Sequence, residues 1–302
     1  MFSYWIPITI FAAFMQNMRS ALQKYIKEYL STAGAAYVRF IYALPLALVL
    51  LGVLVLEFDY DLPRINLEFL TYCLLGSLTQ ILFTFILLYL FSLRNFAVGT
   101  TFSKTEILQI AILGLILLGD EVSLFGVGAI VVGMTGVVIL STAQTSVTLS
   151  NLATSLFEKS TLVGLICGAF LGSSVVFFRG ATLALEDGDV MIRATFTLSV
   201  ALIIQTIMMG IYLLLHEPGQ MTAVFRHWKP ASAVGIAGFL GSMGWFAAFT
   251  LQNAAYVRAV GQIELIFTFI ASVVYFREKT SAMELAGIAL ILVAIITIVL
   301  KG

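Results

Sequence analysis

The chain has 302 residues, of which 61% are hydrophobic and 11% charged, with a formal net charge of zero. Soluble domains carry roughly 45–50% apolar and about 25% charged residues. The composition therefore excludes a soluble globular protein, and the charge balance excludes a basic surface for nucleic acid.

The apolar excess runs along the whole chain, which reads as a multi-span membrane protein lying in or against the bilayer. A membrane-spanning helix needs about 20 mainly apolar residues. Runs and breaks predict ten such spans, at 3–24, 33–56, 67–91, 97–118, 124–142, 161–184, 191–215, 231–252, 257–276 and 282–300. A count of nine results if the spans that nearly meet at 93–96 and 253–256 are merged. No basic residue precedes the first run, so it reads as a retained span and not as a cleaved signal. Breaks carry turn and charge signals, such as Glu57 to Arg64, Gly119-Asp120-Glu121, Glu186 to Asp189 and Arg277-Glu278-Lys279. The Ser/Thr-rich stretch around 146–160 reads as a linker between a first half, 1–145, and a second, 161–302.

The halves repeat each other. Leu93-Arg94-Asn95-Phe96-Ala97 matches Leu251-Gln252-Asn253-Ala254-Ala255, Glu106 matches Glu264, and Asp120 and Ser123 match Glu278 and Ser281, all at an offset of 158. Earlier, Gly34, Arg39 and Ala47 match Gly188, Arg193 and Ala201 at an offset of 154. Ten spans divide into five plus five. Two odd-numbered repeats joined without an extra span lie in opposite orientations, the inverted-repeat plan of secondary transporters. The predicted fold class is an all-α membrane protein of ten transmembrane helices in two inverted five-helix repeats.

Of the 16 Lys and Arg, eight fall in connections after odd-numbered spans, four (Arg64, Arg193, Arg258, Lys301) on the face carrying the termini, and four within spans. The positive-inside rule then places both termini outside.

Polar groups inside the spans carry the functional reading. A carboxylate at the centre of a bilayer costs on the order of 2.5–3.5 kcal/mol on insertion scales, so Glu106 and Glu264 need a use or a partner. Span 1 carries Gln16, Arg19, Ser20, Gln23 and Lys27 at helical spacing on one face, either lining a cavity or snorkelling to the interface. Span 4 carries Lys104, Glu106 and Gln109; Lys104 and Glu106 are two apart and point in different directions, so Glu106 needs a partner from elsewhere, with Arg19 or Lys104 of a neighbouring helix as candidates. In span 9, Gln262 and Glu264 stand in the equivalent places. Arg258 is nearly two turns from Glu264, so Glu264 reads as the carboxylate without a close cation and as the better proton carrier.

Gly164, Gly168 and Gly172, and Gly235, Gly238, Gly241 and Gly244, form faces of small residues that let helices approach closely. Trp245, just after the second run, is a candidate to project into a central cavity. Cys73 and Cys167 fall in apolar spans and read as core residues; His216 and His227 lie in one polar connection without ligand spacing. No metal, cofactor or catalytic set is expected, and no phosphate-binding loop marks the chain as a primary pump.

Each half resembles the EamA-type domain of the drug/metabolite transporter superfamily. The resemblance rests on the early arginine of the second span (Val38-Arg39-Phe40) and on Thr105-Glu106 leading through Gly119-Asp120-Glu121-Val122-Ser123 to Gly128 and Gly133. The second half repeats this as Ile263-Glu264 through Arg277-Glu278-Lys279-Thr280-Ser281 to Gly287. Where many relatives have proline after the fourth-span Glu, this chain has Ile107 and Leu265, so any kink there needs another cause. The resemblance implies two inverted five-helix repeats, alternating access, small organic solutes as cargo, a bacterial inner membrane, and both termini in the cytoplasm. That last implication opposes the Lys/Arg count and is preferred to it.

These readings lead to a secondary transporter of an amino-acid- or amine-like metabolite or drug, working as a proton-linked exporter. The expected site residues are Glu106, Glu264, Arg19, Gln16, Lys104, Gln109, Gln262 and Trp245. Expected partners are a small-molecule substrate, protons and the lipid bilayer, in a monomer or homodimer. A passive exchanger of an anionic metabolite, anchored by Arg19, Lys104 and Arg39, is the alternative. A membrane scaffold or lipid-modifying enzyme on the same fold is a third, and fold alone does not decide among them.

Overall fold

The structure is a computed structural model that describes residues 3–91, 93, 96–143, 158–274 and 280–301. Most of the expected linker, with Arg94-Asn95 and the turn Arg277-Glu278-Lys279, lies outside these residues. The described residues form helices and no strands: α1 (Trp5–Ile26), α2 (Thr32–Ile41), α3 (Leu44–Glu57), α4 (Leu67–Phe91), α5 (Phe96–Ser103), α6 (Glu106–Leu118), α7 (Leu124–Ala143), α8 (Lys159–Ala184), α9 (Val190–His216), α10 (Pro218–Arg226), α11 (Trp228–Leu251), α12 (Ala254–Gly261), α13 (Ile263–Val274) and α14 (Ala282–Lys301).

Eight helical segments are long and apolar enough to cross a membrane. The protein is thus a multi-pass, all-α membrane protein. Large apolar side chains point outward along these helices, with Leu67 80%, Leu124 87% and Leu300 71% exposed, as a lipid-facing surface requires and a water-facing one does not. Of the ten predicted spans, the first (α1) and the ninth (α12 with α13) are not among the eight. In α1 the polar residues Gln16, Arg19, Gln23 and Lys24 lower the hydropathy, and the ninth is broken into helices of 8 and 12 residues. The second and fourth predicted spans are likewise broken, as α2–α3 and α5–α6. One helix was not anticipated: α10 occupies the polar connection that carries His216 and His227, started by Pro218 at its first position, where the missing N–H costs nothing.

The helices form two compact units, residues 1–81 with 177–251 and residues 82–176 with 252–302. Each draws on both halves of the sequence. In the first unit α11 is the central helix, lying along α1 and touching α2, α3, α9 and α10. Its glycine face explains this. A Cβ on Gly244 would lie 2.9 Å from Ala12 Cβ, and one on Gly235 2.4 Å from Tyr42 Cβ. A second cluster, Phe69, Cys73, Ala181, Leu185 and Phe196, is buried, with the two phenyl rings stacked at 5.6 Å. In the second unit α7 lies along α14, because Gly136 and Gly287 meet backbone to backbone: a Cβ on either would fall within 2.9 Å of the other's carbonyl oxygen.

Serine and aspartate side chains start four of the helices, two of them at the repeated pair Ser123 and Ser281. Ser123 Oγ accepts from Gly126 N at 3.0 Å to cap α7. Its counterpart Ser281 forms a reciprocal pair with Glu284 before α14, a capping box. Ser31 caps α2 and Asp189 caps α9, accepting from Met191 N and Ile192 N while Tyr60 donates to it at 2.7 Å. Burial pushes the Asp189 carboxyl up, but hydrogen bonds from Tyr60, Ile192 and Met191 outweigh it and hold the group below the usual carboxylate range. Asp189→Ala should cost about 0.5–2 kcal/mol at neutral pH, the usual value of an N-cap. A depressed folded pKa stabilises above the unfolded value of about 3.9 and loses this as pH falls through the folded value. Melting curves of wild type and Asp189→Ala should therefore converge in acid; a gap that persists there rules the cap out as the source.

Candidate functional site

The second unit gathers five of the predicted residues around two broken helices. α5 ends at Ser103 and α6 begins at Glu106; α12 ends at Gly261 and α13 begins at Ile263. The breaks fall at equivalent places of the 158-residue offset, without proline. Their cause is a tightened turn. Lys104 N and Thr105 N bond back three residues, to Thr101 O and Phe102 O, and Gln262 N does the same to Ala259 O, the pattern that narrows a helix locally. Thr105 Oγ1 also donates to Phe102 O at 2.7 Å, so a hydroxyl takes a carbonyl that the ladder would use. Each glutamate thereby stands in the first turn of a new helix, where the helix dipole favours negative charge.

The glycines of α8 hold the first break in place. A Cβ on Gly164 would sit 2.1 Å from Gly99 O, and one on Gly168 2.8 Å from Ser103 O. Gly172 faces Ile110 and Glu106 O in the same way. This face is a packing surface, as its spacing suggested.

The carboxylates are partnered crosswise. Glu106, 2% exposed, forms an ion pair with the guanidinium of Arg258, 7% exposed. Lys104 Nζ lies 3.8 Å from Glu264 Oε1, with side chains 30% and 15% exposed. Two expectations are thereby corrected. Glu264 does have a close cation, and Glu106 is held by Arg258, not by Arg19 or Lys104. Arg258 lies inside α12, which starts three residues before the predicted ninth span. Asn253, whose Oδ1 accepts from Ala255 N at 2.8 Å, is the sequence signal for that earlier start. Helical geometry correctly kept Lys104 off Glu106 on its own segment.

Gln109 donates from Nε2 to Thr105 Oγ1 at 3.1 Å. Its Oε1, and both amide atoms of Gln262, are buried without a hydrogen-bond partner among the described residues. A buried polar group left unsatisfied costs about 1–3 kcal/mol.

The remaining predicted residues belong to the first unit. Gln16 and Arg19 lie on α1 against α11, where Gly241 faces Gln16 N and Gly238 faces Arg19 Cδ. Trp245 is 7% exposed and stacks on Phe249 at 5.7 Å, so its ring is largely packed. Cys73 and Cys167 are buried and unlinked. His227 stacks on Tyr29 and His216 on Tyr212.

Comparison with known proteins bears on this arrangement. Residues 159–300 match the model of the EamA-like transporter family. That segment carries α8 to α14, with Arg258, Gln262 and Glu264. No curated protein matches the chain. A crystal structure of another protein shares the fold with a TM-score of 0.71 at 13% identity, covering 98% of this chain and 96% of the other. The match spans just under half of the chain.

Proposed function

We propose that the protein is a secondary transporter of a small organic metabolite, an exporter that couples to protons and works by alternating access. In this reading the chain makes ten passes of a bacterial inner membrane as two inverted repeats, 1–145 and 161–302. The observation that carries it is the pair of broken helices, each opening on a glutamate whose partner comes from the other half of the sequence. Discontinuous helices with carboxylates at the break are the device by which transporters place ion and substrate sites within the membrane. The EamA-like match over 159–300 supports the same class.

The two pairs suit different duties. Glu106 and Arg258 are buried and in close contact, a lock between α6 and α12. Lys104 and Glu264 are longer and partly accessible, so protonation of Glu264 releases Lys104 at little cost. Glu264 is the coupling group. In proteoliposomes Glu264→Gln should abolish transport driven by a pH gradient while leaving the fold intact. Full pH-driven transport by that variant removes Glu264 from the coupling step. Passive exchange of an anion remains the second reading, favoured by Arg19 and Arg39 of the first unit, and predicts counterflow insensitive to the gradient.

A further inference from the structure

The first unit is charged unequally at its two ends. The 27 residues of α9 measure about 40 Å at 1.5 Å per residue, close to the thickness of a bilayer with its headgroups. Where α9 starts, residues 57–66 and 184–190 lie together: Tyr60 donates to Asp189 at 2.7 Å and Asn66 Nδ2 to Ala184 O at 2.7 Å. These stretches carry six carboxylates and one arginine, Arg64. Where α9 stops, the α1–α2 connection meets the start of α10. Ser31 Oγ donates to Glu217, Ser31 N donates to Gln220 Oε1 at 2.8 Å, and the rings of Tyr29 and His227 stack at 5.0 Å. Residues 24–31 and 216–229 carry four Lys or Arg, two Glu and two His.

The connection in the same place of the first half, 58–66, is acidic and holds no helix. α10 is basic and two-faced. It buries Val224, whose carbonyl accepts from Tyr42 at 3.2 Å. On the other side Phe225 and Trp228 are more than half exposed, with Arg226 and Lys229 exposed beside them. Lys229 Nζ lies 5.8 Å over the Trp228 ring. Lys24 and Lys27, in the last turn of α1 and just after it, are exposed at the same end of the unit. Exposed rings and exposed cations side by side suit the headgroup layer of a bilayer. Water disfavours the rings, and the hydrocarbon core disfavours the charges. Four cations against two carboxylates attract anionic headgroups, which the six carboxylates of the opposite end repel.

We propose that α10 lies in the membrane interface and, together with Lys24, Lys27 and Lys229, docks anionic phospholipid headgroups. Arg226 supplies a planar fork that matches a phosphate, and the lysines supply point charges around it. Phe225 and Trp228 rest against the upper acyl chains. The surface rests on the membrane class and not on the transporter reading, so either can fail alone.

The test is quenching of tryptophan fluorescence in phosphatidylcholine proteoliposomes that contain a fixed fraction of dibrominated phosphatidylglycerol or, in parallel, dibrominated phosphatidylcholine. The chain has three tryptophans, Trp5, Trp228 and Trp245, and the part of the quenching lost in Trp228→Phe belongs to Trp228. That part should show a preference for phosphatidylglycerol of about tenfold or more, since each uncompensated cation at an anionic surface is worth roughly a factor of five. Raised salt should shrink it, because exposed charges are screened. Arg226→Gln combined with Lys229→Gln should bring the two lipids near parity, and Lys24→Gln combined with Lys27→Gln should lower the preference in the same direction. Glu57→Gln combined with Asp61→Asn, at the opposite end, should leave it unchanged. All six side chains are exposed, so the fold should survive each change. No preference in the wild type, or an undiminished one in the Arg226 and Lys229 variant, overturns the docking surface. Quenching of Trp228 by neither lipid overturns the placement of α10 in the interface.

Discussion

Glu106→Leu should destabilise the folded protein by about 3–5 kcal/mol, the penalty for leaving a buried charge without its partner. The orphan would be Arg258, which is 7% exposed and cannot shed its proton. Arg258→Met should cost less, because an orphaned carboxyl can take up a proton and become neutral. The double variant Glu106→Leu with Arg258→Met should recover most of the loss, since replacing both members of a buried pair by apolar residues is often near neutral. The equivalent cycle on Lys104 and Glu264, a 3.8 Å pair with both side chains partly exposed, should show a coupling of only about 0–1 kcal/mol. Unfolding in mixed micelles measures both cycles. Equal coupling energies would refute the division of the pairs into a lock and a releasable contact.

Gly164→Ala should be the most damaging single-methyl change in the second unit. Its Cβ would fall 2.1 Å from Gly99 O, a backbone atom that no rotamer change can move away. Overpacking of this kind costs typically about 1–3 kcal/mol, and here it separates α8 from α5 beside the helix break. Gly128→Ala is the control. Nothing lies within 4 Å of its Cβ, and glycine inside a helix is worse than alanine by roughly 0.5–1 kcal/mol, so this change should stabilise. Melting temperatures should move in opposite directions. A Gly164→Ala protein as stable as wild type would mean that α5 and α8 do not approach at this point.

Much of the site was legible in the sequence because the repeat pointed to it. The 158-residue offset singled out Glu106 and Glu264, and both open a helix at an equivalent break. Helical periodicity identified the glycine faces of α8 and α11 as packing surfaces, and small side chains at that spacing have few other uses in a membrane. The pairings were not legible. Arg258 and Glu106 are 152 positions apart, and nothing local to either distinguishes that pairing from Arg19 or Lys104. The breaks were also hidden, since a threonine hydroxyl and two tightened turns leave no signature comparable with proline.

By itself the sequence determined the membrane class, the positions of most spans, the repeat and the residues too polar to face lipid. Those follow from one-dimensional quantities: hydropathy over about 20 residues, helical period and internal matches. Only the tertiary structure decided which charges neutralise each other and which do not. Glu106 went to Arg258, Glu264 to Lys104 and Arg193 to Thr182 O. The physical reason is that charge pairing within a membrane is settled by contacts of a few ångströms between segments far apart in the chain, where one turn of helix exchanges one partner for another.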